Sequence, residues 1–277
     1  MFNYYMHIKN TLAEYGLISK LLHWISALLL FIQIPLGFYL VDLDFGPERL
    51  SIENIHIIIG LSVFYLVILR LINKIINQAK TAPSGVNTQP WQVAVLTGAS
   101  KDNLCTKLEK AFRDGNKGSM DYKYYPVEWV GQYKRRRKEC GLLLYSTLKI
   151  SREDKKRQLD QWALNYKAFN APVVLLFFID KTMEKGSFMD YGMFLQSIML
   201  SAVEYGLATC PQAALGEYPD IVRNELSYYK DKIVLCGMAI GYEDKTKAIN
   251  SYRTSRENLS EIVLSLIHIS EPTRQEA

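Results

Sequence analysis

Two histidines, one polar loop and one pair of arginines are the side chains of this 277-residue sequence whose types and spacing could do chemistry. His23 and His56 each fall within a long apolar run. Neutral imidazole is a common transition-metal ligand, and an ionisable group held in an apolar span is costly to keep there. A lone histidine also reads as a structural residue bonded to a neighbour. Further on, Pro83-Ser84-Gly85 and Asn87-Thr88-Gln89-Pro90 make a loop rich in turn residues. Its backbone N–H groups and its Ser, Asn and Gln side chains suit a phosphate or the polar edge of a planar heterocycle. Composition alone reads it as an ordinary connection. Arg253 and Arg256 could hold an anion by charge-assisted bonds, or be solvated charge. The sequence shows no Ser-His-Asp set and no carboxylate pair. His268 is the sole histidine after His56, which argues against imidazole base catalysis in the second part.

The elements that must position these residues divide in two. Up to Asn77 the chain carries 5 Lys/Arg and 5 Asp/Glu, so the whole net charge of +5 lies beyond it. Trp24 to Val41 and Asn54 to Leu69 contain no charged residue, and the second apolar pattern continues past Arg70 to Ile76. With their flanking turns both runs reach the roughly 20 residues that cross a bilayer. DLDFGPERLSIE between them suits a short aqueous loop. A signal peptide would need a small-residue cleavage site, which Phe38 to Asp42 does not provide. Two buried helices of a soluble protein are the other alternative. Lys9 and Lys20 before the first run, with Arg70, Lys74 and Lys80 at the end of the second, outnumber Arg49 in the loop, which predicts both ends on the cytoplasmic side. The two histidines then lie toward opposite leaflets, roughly 20 Å apart at 1.5 Å per residue.

Beyond residue 80, Trp91 to Leu96, Ala171 to Ile179 and Ile233 to Ile240 read as strands separated by helical patterns, an α+β or α/β class. Gly186 to Val203 is apolar nearly all round. It could be a third span, but Asp190, Gly192 and Gln196 suit a helix buried in a core or dimer better. Lys134 to Lys138 is a run of five positive charges without interleaved aromatics, read as a solvated helix face and not as a nucleic-acid contact. Cys105, Cys140, Cys210 and Cys236 are far apart, as in a reduced compartment.

Residues 10–77, with His23-Trp24, His56, Gly60 and Arg70, resemble the first two helices of the bacterial cytochrome b561 family. That resemblance implies b-type haem on His23 and His56 in the inner membrane of a bacterium. Because one iron cannot reach both histidines, the hairpin alone is expected not to hold haem stably. Residues 81–263 resemble the FMN-dependent nitroreductase family through PSGVNTQPW, LNYKAFNAPVVLLFFID, GSFMDYGMFLQSIMLSAVEYGLATCPQAAL and GYEDKTKAINSYRTSREN, in that order. It implies a mixed sheet flanked by helices, an intertwined homodimer, and hydride transfer from NAD(P)H through FMN to nitroaromatics or quinones. It also implies that Pro83, Ser84, Asn87 and Gln89 line the flavin, largely across the dimer interface. Pro211, Gln212, Ala213 and Ala214 would pass over its ring, and Arg253 and Arg256 would bind its phosphate.

The expected organisation is therefore a transmembrane hairpin over 1–77, in contact with lipid through 17–76, then a flavin domain over 78–263 facing the cytoplasm. A non-native tail over 264–277 resembles translated sequencing-adapter sequence. The arginine-rich opening helix of the nitroreductase family and the last two helices of the cytochrome family are missing from these patterns. A chimeric reading frame with neither activity intact is thus the third alternative, beside the flavin enzyme and the membrane haem carrier.

Overall fold

The computed structural model describes residues 16–264. Lys9, His268 and the tail beyond Leu264 lie outside the described residues. Two long helices come first, α1 (Leu17–Asp42) and α2 (Pro47–Ala79), joined by a short turn. Their antiparallel register is set by polar pairs. Asn73 Nδ2 donates to Ser19 Oγ at 3.2 Å, and Gln33 Nε2 donates to the His56 carbonyl at 3.0 Å. Both helices contain an apolar stretch long enough to cross a membrane, and 6% of each stretch is buried. Trp24, Phe31, Phe38, Ile58 and Phe64 point outward with nothing over them.

At 1.5 Å per residue, the 33 residues of α2 make a rod of about 50 Å, well beyond the roughly 30 Å of a hydrocarbon core. Its last turns do something else. Ile72, Ile75 and Ala79 are buried against the sheet of the second unit, with Ile68, Leu71 and Ile76 packed beside them. The boundary expected between residues 77 and 78 therefore falls inside one unbroken helix, and Ile72 and Ile75 upstream of it already belong to the sheet core.

Among the described residues that sheet has four strands, β1 (Gln92–Thr97), β2 (Val173–Asp180), β3 (Ala208–Gln212) and β4 (Lys232–Gly241), in the order β1-β2-β4-β3. The resemblance implies a mixed sheet; the described strands pair antiparallel throughout. Both faces are covered, so β2 reads as a continuous apolar run. Val173, Leu175, Phe177 and Ile179 meet α2 and α6 (Lys185–Glu204), while Val174, Leu176 and Phe178 meet α3 (Gly98–Arg113) and α7 (Pro219–Glu225). Two further helices, α4 (Gly131–Thr147) and α5 (Lys155–Ala163), lie between β1 and β2 in the chain; α4 contains no buried residue. The sequence-expected strands and the helix at 186–203 thus appear within two residues of their expected ends. The helix is a core element of the sheet layer, not a span.

Candidate functional site

Helix α6 organises the site. Advancing about 100° per residue, it turns Tyr191, Phe194, Ile198 and Ala202 into the core. Phe188, Gly192 and Leu195 come next around the circle and line a cleft. Met189, Met193, Leu200 and Val203 follow on an arc that stays exposed. Asp190 closes the circle on the far edge of that arc.

The cleft holds about 310 Å³ and is walled by α6, by Pro211, Gln212 and Ala213 at the end of β3, by Leu235 and Cys236 of β4, and by Tyr122, Lys123 and Tyr124. Pro211 to Ala213 lead into a short 3-10 turn (Ala213–Gly216) laid directly on β4. The approach is possible because residue 237 is glycine: a Cβ there would come within 2.4 Å of Leu215. Gln212 is buried, its Nε2 donates to the Asn165 carbonyl at 2.9 Å, and its Oε1 has no protein partner. Burial raises the Tyr122 and Tyr124 hydroxyls above the usual phenol range and pushes the Cys236 thiol up to about 12. These groups stay protonated at neutral pH, so the cleft offers aromatic faces, peptide groups and one lysine but no side chain able to take a proton.

The polar loop lies on the other side of the exposed arc. Asp190 Oδ2 accepts from the Gly85 N–H at 3.0 Å, and Ser84 Oγ accepts from the Gln89 N–H at 2.9 Å. Gln89 Nε2 donates to Asn87 Oδ1 at 3.2 Å. Val86, Asn87 and Gln89 have φ of 45°, 58° and 46°, and Val86 is 98% exposed. A β-branched residue held at positive φ is strained, and such strain gathers at ligand clamps. Arg256 is in a third place, a groove of about 420 Å³ beside α4 that it shares with Arg136, Thr254 and Ser255. Its guanidinium donates to the Thr254 and Ser255 carbonyls, while Arg253 donates to the Asn250 and Tyr252 carbonyls and pairs with Glu243.

Within one copy, then, the structure gathers Pro211, Gln212 and Ala213, with Ala214 in the turn that follows. It does not bring Pro83, Ser84, Asn87, Gln89, Arg253 or Arg256 to the same cleft. The sequence reading missed Tyr122, Lys123, Tyr124, Phe188 and Asp190. The aromatic string Tyr122-Lys123-Tyr124-Tyr125 was a visible signal. Asp190 had none, since its role is to accept one backbone N–H.

In the hairpin, Arg70 Nη2 sits 3.0 Å from His23 Nδ1, and the His56 ring lies against Gly37. Among the described residues no group of three or more His, Cys, Asp or Glu could hold a metal ion.

A model described as the nitroreductase family matches residues 67–242, and one described as prokaryotic cytochrome b561 matches residues 14–103. The two overlap over residues 67–103, from the last turns of α2 through β1 to the start of α3. The chain is 37% identical over 188 residues to a 4-nitrobenzoate reductase of Pseudomonas putida, covering 68% of this chain and 82% of that one. It is 34% identical over 197 residues to a chloronitrobenzene nitroreductase of Comamonas testosteroni, covering 70% and 86%. The solved FMN-dependent nitroreductase NfnB of Mycobacterium smegmatis, in complex with NADPH, superposes with a TM-score of 0.67 at 33% identity, over 70% of this chain and 87% of that one.

Proposed function

From the premise that the chain belongs to the nitroreductase family, we propose that it is an FMN-dependent oxidoreductase passing hydride from NAD(P)H to nitroaromatics or quinones, on a membrane anchor. One observation carries the reading. The aromatic cleft and the polar loop flank the same exposed apolar arc of α6, on opposite edges. A second copy related by a two-fold axis and packed on Met189, Met193, Leu200 and Val203 sets its loop against the first copy's cleft, and the reverse. The homodimer thereby completes two sites that neither copy completes alone.

The residues present fit the ring of FMN. The cleft is lined largely by aromatic and apolar residues, with peptide groups at Pro211 to Ala213, and the buried Gln212 Oε1 has no protein partner. Bound there, FMN supplies the hydride chemistry. Pro211 to Ala214 orient its ring, and the partner's segment equivalent to Pro83, Ser84, Asn87 and Gln89 closes the polar edge and excludes water. Arg253 and Arg256 are the phosphate ligands of this reading. Both guanidiniums are exposed and spend their bonds mainly on nearby carbonyls, partners that a phosphate dianion replaces with charge-assisted contacts.

The apolar lengths and outward side chains of α1 and α2 support insertion in a bilayer, and the Lys/Arg balance supports a bacterial inner membrane with the flavin domain in the cytoplasm. Haem b does not fit in the same way. His23 and His56 stand at opposite levels of the hairpin, with one histidine at each level among the described residues, so a bis-histidine site is not assembled and no step is drawn through it.

The test is the full chain purified in detergent and supplied with FMN. It should turn yellow and oxidise NAD(P)H in the presence of a nitroaromatic or quinone. Failure to retain FMN removes the proposal and leaves the chimeric reading.

A further inference from the structure

The aromatic wall of the cleft is held from behind. Arg223 of α7 grips Asp121 in a two-pronged pair, Nη1 to Oδ2 at 2.7 Å and Nη2 to Oδ1 at 3.1 Å. The same Asp121 Oδ2 accepts from the Val234 N–H at 2.9 Å, so the pair is stitched to β4. One residue on, the Tyr122 hydroxyl donates to the Leu235 carbonyl at 2.9 Å, and its ring meets Phe188 edge-on at 5.3 Å. With positions 121 and 122 fixed, Lys123 and Tyr124 are delivered to the cleft rim, where Lys123 is the one cation among the lining residues. The other basic side chain at this wall, Arg223, is already spent on Asp121 and Asp220.

We propose that the Asp121–Arg223 clamp positions Lys123 and Tyr124 as a recognition pair for an aromatic acceptor bearing a carboxylate, the ring stacking on Tyr124 and the carboxylate meeting the Lys123 ammonium. The inference rests on the flavin reading above and names its substrate class. An exposed ammonium at the rim of an apolar slot gains from a carboxylate what it cannot gain from a neutral ring, because that contact is charge-assisted.

The experiment compares 4-nitrobenzoate with nitrobenzene as acceptors for the FMN-loaded full chain, in the parent and in Lys123→Gln. The expected result is a fall of about tenfold in kcat/KM for 4-nitrobenzoate relative to nitrobenzene. Asp121→Asn, acting through the clamp, should raise KM for both nitroaromatics while turnover with ferricyanide at saturating NAD(P)H persists, since that acceptor needs no stacking. An unchanged ratio in Lys123→Gln overturns the proposal. So does loss of FMN in that variant, which would make Lys123 a phosphate ligand instead. A parent chain that reduces neither nitroaromatic with FMN bound fails the flavin reading itself, a distinct outcome.

Discussion

Arg70 on α2 and His23 on α1 face each other with Nη2 and Nδ1 3.0 Å apart, and this contact marks one level of the hairpin. The second histidine marks another. His56 lies against Gly37, and the 14 residues from His23 to Gly37 along α1 amount to about 21 Å. A b-haem iron bound through two imidazoles needs both at one level. The purified chain is therefore expected to lack a low-spin bis-histidine Soret band after haem is added. Such a band in monomeric material would overturn this.

The dual use of α2 makes a sharper expectation. Ile75 is 0% exposed and packs against the sheet, whereas Ile58 on the same helix is 63% exposed on its outward-facing apolar stretch. Ile75→Ala leaves a cavity in a packed core and should cost about 2–5 kcal/mol. Ile58→Ala, facing lipid or detergent, should cost far less. Thermal melts of the two variants followed by near-UV circular dichroism check this. Equal losses would place residues 72–79 in the membrane.

This double role is also what sequence patterning could not separate. Residues 70–79 are amphipathic, with Leu71, Ile72, Ile75, Ile76 and Ala79 on one helical face, and an apolar helix face looks the same whether lipid or a sheet will cover it. The strands were legible because β2 and β4 are unbroken apolar runs between turn residues, the mark of a sheet buried on both faces. β3 was not, being five residues long and containing Pro211. In the site, the loop at 83–90 announced itself by its turn and amide residues. The aromatic wall showed only as the string Tyr122 to Tyr125, in a stretch with no periodic pattern; what places it, the pairing of Asp121 with Arg223 far along the chain, left no mark in the sequence.

The exposed arc of α6 is the seam on which two copies are proposed to meet. Leu200 is 63% exposed on it and is not among the residues lining the cleft. Leu200→Arg adds a charge to each side of a self-complementary surface. It should shift the detergent-solubilised protein to monomer in light scattering and weaken FMN retention by tenfold or more (roughly 1.4 kcal/mol per decade). A variant that stays dimeric and yellow would move the interface elsewhere.

Acid should loosen the end of the sheet where the inner strand β2 finishes and β4 begins. Lys232 donates to Asp180 at 2.7 Å, and this bond, with those from Thr182, holds the Asp180 carboxyl well below the usual carboxylate range. The unfolded chain thus takes up the proton first as pH falls, near its ordinary value of about 4. Stability is present in full above that value and drains away as pH drops toward the depressed folded value. Asp180→Asn should flatten the acid limb of the melting temperature against pH below about 4, with little change at neutral pH.

Thiol chemistry reads the packing of the second unit at four points. Cys105 and Cys236 are buried, Cys210 is half-buried, and Cys140 on α4 is exposed. Burial raises the thiols of Cys105 and Cys210, and it pushes Cys236 up to about 12. Because the thiolate is the attacking species, protonated buried thiols react slowly even where a reagent reaches them. At pH 8 a disulfide-exchange reagent should label Cys140 alone in the native chain, and the other three only after denaturation. FMN seated over Cys236 strengthens the contrast at that position. Fast labelling of Cys236 without FMN, suppressed when FMN is added, would instead show the cleft to be open to solvent and covered by the flavin.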